Sequence, residues 1–392
     1  MNLTITPARL AGTVAPPPSK SQAHRYLIAA ALAGEGAAVH NLADSQDIQA
    51  TRRCMSELKT FCNHLPQLEC GESGSTLRFL IPLALALRGG GVFTGQGRLM
   101  DRPQTPYFQL FDEKGIRYRQ ENGVLTVEGR LTPGVYRLPG NISSQFVTGL
   151  LYALPLLDGD SEIILTTALE SRSYVDMTLE ALGAFGVEVL WSGENILSIP
   201  GGQKYVPAEV RVEADWSQAA FWLAANCLGS EIILKDLNSS STQGDRAVSR
   251  CAQMLSKPGN LEISLSDCPD LGPPLAAMAA VRQGGTRLVN AARLRIKESD
   301  RLAAITAVLN AMGAEVEEFP DSLSIRGKDG LAGGCTVDCR NDHRIAMMAA
   351  AAATRCREPV TLLGAECVAK SYPDFWKHYR LLGGIAHEYL GE

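Results

Sequence analysis

Six times along the chain a short polar loop gives way to an apolar run of helical length. The runs read PSKSQAHRYLIAAALA, GESGSTLRFLIPLALAL, GNISSQFVTGLLYALPLL, EADWSQAAFWLAANCL, DCPDLGPPLAAMAAV and CRNDHRIAMMAAAAAT. Each loop supplies Ser, Asp, Asn or Gly where a helix N-cap belongs, since a side-chain oxygen there accepts from an otherwise unpaired backbone N–H. Asp270, taken alone, reads as such a cap. With Lys20, Gly74, Ser143, Asp215, Asp270 and Asp342 as markers, the intervals are 54, 69, 72, 55 and 72 residues.

A second pattern follows most of these runs. LFDEKGIRYRQENGVLTVEGR, LEALGAFGVEVLWSGENILSIPGG and LNAMGAEVEEFPDSLSIRGKD each read as an amphipathic helix, a Gly stop and a β-hairpin. The two short intervals lack a full copy and come first in their group of three. The predicted unit is therefore strand, helix, strand, helix, hairpin, repeated six times. The last unit ends without a hairpin, and the strand-like start NLTITPARLAGTV has no unit of its own. Giving that first strand to the last unit makes one domain discontinuous. The expected fold is α/β, in two domains of three βαβαββ units, with two units shortened. The domains are 20–213, and 1–19 with 214–392; the chain crosses between them near Ser19 and near Glu213.

Composition narrows the function classes. The chain has 392 residues, 45% hydrophobic and 20% charged, with a net charge of −5. That is room for two cores, and it gives no sign of a nucleic-acid or membrane surface. Of 37 basic residues, 27 are Arg, a bias that suits planar recognition of carboxylate or phosphate. No apolar run reaches the ~20 residues of a membrane span, and the start lacks the regions of a signal peptide. Ten scattered cysteines read as reduced thiols of a cytoplasmic protein. Cys335, Cys339 and His343 in CTVDCRNDH imitate metal ligands, but on a strand the two thiols would stand ~13 Å apart, too far for one zinc ion.

Chemistry concentrates at the helix mouths. Helix N-termini attract anions through free N–H groups and the dipole, and Lys20, Ser21 and Arg25 add donors and charge to the first. Gly74 lets a ligand approach the backbone, with Arg78 beyond it; Arg102 lies in MDRPQTP. NISSQ offers Ser143, Ser144 and Gln145. In RLRIKESDRLAAI, Ser299 with later acids suggests a capping box, which leaves Arg295, Lys297, Glu298 and Arg301 to be explained. A carboxylate paired with cations suits proton transfer at a charged ligand. Arg344 and Lys370 follow in NDHR and AKSYPD. No nucleophile triad, Walker loop or GxGxxG loop is present. These groups predict a cleft between domains that binds a small, multiply anionic substrate and moves protons.

The motifs PSKSQAHR, ESGSTLR, MDRPQTP, ISSQF, ESRSYVDMTL, KESDRL, NDHRIAM and AKSYPDF, in this order, resemble the EPSP synthase family of 3-phosphoshikimate 1-carboxyvinyltransferases. The resemblance implies the enolpyruvyl transferase fold, and transfer of the enolpyruvyl group of phosphoenolpyruvate to the 5-hydroxyl of shikimate 3-phosphate. It implies that Lys20, Ser21, Arg25, Ser143, Ser144, Gln145, Ser171, Asp270 and Lys297 hold shikimate 3-phosphate. It assigns Lys20, Gly74, Arg102, Gln145, Arg301, Arg344 and Lys370 to phosphoenolpyruvate. Asp270 is then the base for the hydroxyl, and Glu298 with Lys20 protonates the methylene carbon. No metal or organic cofactor is required, the partners are the two small substrates, and a monomer is expected. Glyphosate is expected in the phosphoenolpyruvate pocket, where a methyl group at Gly74 would crowd it. Two departures stand out: Glu72 and Arg293 replace the family's usual Asn. A UDP-amino-sugar enolpyruvyl transferase and a non-catalytic anion-binding relative are the competing readings.

Overall fold

Glycine stops and capped helix starts divide the chain in the computed structural model, which describes residues 1–60 and 63–389. Strands β1 (Leu3–Thr6) and β2 (Ala11–Val14) come first. Lys20–Val212 then form one compact unit. It opens with α1 (Lys20–Ala33), β3 (Ala38–His40) and α2 (Gln46–Lys59). A full repeat follows: β4 (Gln67–Glu69), α3 (Gly74–Arg88), β5 (Gly90–Thr94), α4 (Thr105–Lys114), β6 (Arg117–Glu121) and β7 (Val124–Glu128). A second comprises β8 (Gly134–Leu138), α5 (Ser144–Ala153), β9 (Ser161–Leu165), α6 (Arg172–Ala184), β10 (Leu190–Trp191) and β11 (Ile196–Ile199), before β12 (Glu209–Arg211).

Met1–Ser19 and Glu213–Glu392 form the other unit. After α7 (Trp216–Cys227), β13 (Glu231–Leu234) and α8 (Val248–Leu255) come two more repeats. The first is β14 (Leu261–Ser264), α9 (Gly272–Ala280), β15 (Gly285–Val289), α10 (Arg301–Ala311), β16 (Glu315–Glu318) and β17 (Leu323–Arg326). The last is β18 (Cys335–Asp338), α11 (His343–Ala353), β19 (Val360–Leu363), α12 (Phe375–Leu381) and β20 (Ile385–Glu388).

Each full repeat makes a mixed four-stranded sheet, with orders β4-β5-β7-β6, β8-β9-β11-β10 and β14-β15-β17-β16. The first two strands are parallel, as the intervening helix requires, and the hairpin returns antiparallel beside the second. The last sheet runs β18-β19-β1-β20. Here β1 takes the missing position, antiparallel to both neighbours, with Leu3 opposite Leu362 and Glu388. Helix stops fall on left-handed glycines: Gly115, Gly186 and Gly313 have φ of 67°, 75° and 97°.

The short repeats keep only two parallel strands each, β3 with β12 and β2 with β13. No hairpin separates α8 from β14. In sequence β2 leads into α1 and β12 into α7, so each short sheet takes its first strand from across a chain crossing. The two crossings lie side by side: Ser19 N donates to Glu213 O at 2.7 Å and Asp215 N to Pro17 O at 2.8 Å.

Each unit has its own apolar core. Every residue of α9 and α11 is buried, and α7, α9 and α11 pack on one another. Burial on all sides explains why these runs are rich in Ala and Met and carry no polar face. In the other unit α3 packs on α5. A Cβ on Gly149 of α5 would lie 2.4 Å from the Arg78 carbonyl oxygen and 2.2 Å from the Tyr107 Oη. Gly149→Ala should therefore destabilise this unit by about 1–3 kcal/mol, as overpacking does. A chemical-denaturation midpoint equal to wild type would show that the α3–α5 contact has slack.

Candidate active site

The mouths of α9, α10 and α11 carry a cluster of opposed charges. Asp270 lies in a 3-10 turn, Pro269–Leu271, just ahead of α9. Its carboxylate accepts from Arg301 at 2.9 Å, Arg344 at 2.9 Å and Lys297 at 3.2 Å. Arg301, the first residue of α10, is 1% exposed. It also donates to Glu298 at 2.7 Å and to both oxygens of Asp342 at 2.8 and 3.2 Å. Asp342 has no exposed surface and caps α11 by accepting from Arg344 N at 3.0 Å. The Ser299 hydroxyl donates to it at 2.9 Å. Lys370 Nζ donates to the carbonyl of Asn341, next to that cap, at 2.6 Å.

Burial pushes the Asp270 carboxyl up, but Arg344, Lys297 and Arg301 outweigh it and hold the group well below the usual carboxylate range. Burial lowers the Lys297 ammonium, against the pull of Asp270. Asp270 is thus held ionised against cations that an anionic ligand would also seek.

The other unit gathers its cations differently. Arg25 is 2% exposed and donates to the Thr178 hydroxyl, the Ser21 carbonyl and the Tyr174 carbonyl at 2.9, 2.7 and 2.9 Å. Its guanidinium lies 5.2 Å from the centre of the Phe79 ring. Arg78 donates to Gln145 Oε1 at 2.8 Å, and Gln145 Nε2 donates to Ser75 Oγ at 3.0 Å. The mouths of α3 and α5 are thereby joined. Lys20 Nζ donates to Asp47 at 2.9 Å. The Arg102 guanidinium rests on Gly74, where a Cβ would sit 2.6 Å from Nη1, and its buried Nε has no hydrogen-bond partner. Ser143 caps α5 and Ser144 follows it, buried. Ser171 precedes α6 with φ 57°, a left-handed conformation that a non-Gly residue rarely adopts.

The family model for EPSP synthase (3-phosphoshikimate 1-carboxyvinyltransferase) matches residues 5–379. The chain belongs to the EPSP synthase family. A 3-phosphoshikimate 1-carboxyvinyltransferase of Clostridium acetobutylicum is 46% identical, over 99% of each chain. One of Clostridioides difficile is 42% identical, again over 99% of each. The first alignment spans 427 positions, more than the 392 residues of this chain, so that relative carries segments absent here. EPSP synthase from Acinetobacter baumannii superposes with a TM-score of 0.78 at 24% identity, covering 99% of this chain and 100% of that one. The enolpyruvyl transferase NikO of Streptomyces tendae gives 0.77 at 17% identity, covering 100% and 99%. These two likenesses show a shared fold.

Of the family motifs, KESDRL and NDHRIAM meet at one point through Arg301 and Asp342. Two expectations are corrected there. Asp270 is not the cap of α9, because the turn before that helix puts Leu271 at the cap position. Ser299 does not cap α10; Asp300 does, accepting from Ala303 N at 3.2 Å. A methyl group at Gly74 would meet Arg102. Glu72 lies over Gly97, whose Cβ would sit 2.6 Å from its Oε2, and Arg293 donates to the Ser266 carbonyl. Asp47 and Ser217, the latter accepting from Arg344 at 2.7 Å, went unnoticed in sequence; neither has a neighbour along the chain that marks it out. Among the described residues, the nine cysteines are free thiols and no three His, Cys, Asp or Glu side chains are placed to share a metal; Cys62 lies outside those residues.

Removing one partner of a buried ion pair leaves the other uncompensated. Asp342→Ala should cost about 3–5 kcal/mol by that rule, measured as a drop in urea stability. A loss below about 1 kcal/mol would match a missing cap alone and would show that Arg301 is held by Glu298 and Asp270.

Proposed function

We propose that the chain transfers the enolpyruvyl group of phosphoenolpyruvate to the 5-hydroxyl of shikimate 3-phosphate and releases phosphate. The observation that supports this most directly is the match to the EPSP synthase family from residue 5 to 379. The chemistry of the two charge clusters agrees with it. In our reading Lys20, Ser21, Arg25, Ser143, Ser144, Gln145 and Ser171 hold shikimate 3-phosphate, with Asp270 and Lys297. Lys20, Gly74, Arg102, Gln145, Arg301, Arg344 and Lys370 hold phosphoenolpyruvate.

A proton from Glu298, assisted by Lys20, goes to the methylene carbon and leaves a cationic centre. The 5-hydroxyl oxygen attacks it while Asp270 takes the hydroxyl proton. The tetrahedral intermediate then loses phosphate and returns one methyl proton to the Glu298 carboxylate, which restores the double bond. In the unliganded protein Asp270 is a weak base, because three cations hold its charge. A phosphate or carboxylate that draws Arg344 and Arg301 to itself loosens that hold and raises its basicity. The cations of the cluster stabilise negative charge where it develops. We further take the enzyme to be a cytoplasmic monomer; among the described residues no helix is long and apolar enough to cross a membrane.

The decisive measurement is phosphate release from phosphoenolpyruvate with each acceptor in turn. Release with shikimate 3-phosphate and none with a UDP-amino sugar is expected, and the reverse would overturn the reading. Lys20→Met should abolish turnover and lower the melting temperature, since Asp47 loses its partner; wild-type-like rates would remove Lys20 from the chemistry.

A second variant tests the anion pocket. Gly74→Ala displaces only the tip of a flexible side chain, so the fold is expected to tolerate it. The affinity for phosphoenolpyruvate should fall about tenfold or more, the loss of one charge-assisted hydrogen bond, with shikimate 3-phosphate affinity unchanged. Unchanged phosphoenolpyruvate binding by calorimetry would dissociate Arg102 from that ligand.

A further inference from the structure

Arg344 is anchored on both sides. Its Nη2 donates to Asp270 Oδ2 at 2.9 Å, while Nη1 donates to Ser217 Oγ at 2.7 Å. Ser217 sits in the first turn of α7 and is buried. With its oxygen accepting from Arg344, its own proton is directed to Asp245, with which it is hydrogen-bonded. Asp245 is 3% exposed, in the 3-10 turn Gly244–Ala247.

That turn is held independently of the site. The Gln243 side chain accepts from Trp216 N at 3.0 Å and donates to the Ala214 carbonyl at 2.9 Å, while its backbone N–H donates to Ser241 Oγ at 3.1 Å. The segment 241–245 is thus clamped to the start of α7, and Asp245 is delivered beside Ser217. Asp245 is buried, and the catalytic steps above do not use it.

We propose that Asp245 is a positioning residue for Arg344, acting through the Ser217 hydroxyl to hold that guanidinium for the anionic groups of phosphoenolpyruvate. The inference rests on the proposed function for the identity of the ligand. The groups that face Asp245 are Asp270, Arg344, Ser217, Asp215 and the Cys268 thiol. Burial and then Asp270 push its carboxyl up to about 6, against Arg344 and Ser217. Asp245 therefore changes charge near neutrality, and its hold on Ser217 is strongest above that point. The sign for stability follows: a carboxyl raised on folding disfavours the native state as pH climbs from the unfolded value, ~4, through about 6.

The test compares Ser217→Ala, Asp245→Ala, the double variant and Asp245→Asn with wild type. Each Ala variant should raise KM for phosphoenolpyruvate about tenfold, the scale of one weakened charge-assisted hydrogen bond, with kcat and the KM for shikimate 3-phosphate little changed. The double variant should be no worse than either single one, because both act along one path. Asp245→Asn keeps an acceptor for Ser217, so it should retain the wild-type KM at low pH and lose to wild type only as pH rises through the inflection. The same variant should melt higher than wild type at neutral pH, with the gap closing in acid. Additive effects of the two Ala substitutions, or a KM ratio of wild type to Asp245→Asn that is flat with pH, would overturn the proposal. Calorimetric titration with phosphoenolpyruvate repeats the comparison without turnover. A wild-type protein that binds but does not turn over would sink the proposed function, while the binding differences still judge Asp245.

Discussion

Arg301 has almost no exposed surface, and three carboxylates answer its charge. Asp342 belongs to the mouth of α11, Asp270 to that of α9, and Glu298 to the loop before α10. Because a buried unpaired charge is so unfavourable, none of these helix starts can drift without exposing the others to that cost. The fold of this unit and its reactive groups are therefore specified by the same contacts. Lys297, Arg301 and Arg344 face Asp270, Glu298 and Asp342, a locally balanced set. An anion that binds here shares cations already engaged and shifts the proton affinity of whichever carboxylate it displaces.

Residues 20–212 show the opposite strategy. Arg25 donates to one hydroxyl and two carbonyls, so these contacts fix its direction and leave its charge uncompensated. Arg78 is aimed in part by the amide of Gln145 and by the Pro103 carbonyl. Aromatic faces of Phe79 and Phe146 back both guanidinium groups. Such cations are suited to holding a phosphate, whereas the balanced cluster is suited to moving protons. Lys20 is tied instead to a carboxylate, Asp47.

Much of this was legible in the chain. The recurring helix starts marked the inner helices, the glycine stops marked the hairpins, and the unpaired first strand pointed to the last sheet. These signals are local, set by caps, turns and period. What stayed hidden depends on contacts between distant residues. Asp270 looked like a cap because an Asp two residues before a helix usually is one, and only the extra 3-10 turn removes it from that duty. Ser299 likewise looked like a cap, but its partner is 43 residues away at Asp342. Nothing in LADSQDIQ announces that Asp47 will meet Lys20. The exchange of β2 and β12 between the short repeats was also invisible, since each strand looks as though it belongs with the helix that follows it.

The position of β1 has a temporal consequence. Lys20–Val212 contain every strand partner their own sheets require, so that unit can complete its pairing as soon as its last strand has been synthesised. Residues 3–6 must wait for 360–362 and 385–388, made more than 350 residues later. The nascent chain therefore carries β1, whose Leu3 and Ile5 are bound for the core, without its sheet partners while the intervening residues are made, and the final sheet closes by a long-range contact. Such pairings are entropically slow. The order of synthesis makes the discontinuous unit, with its cluster of carboxylates and cations, the later of the two units to complete its sheets.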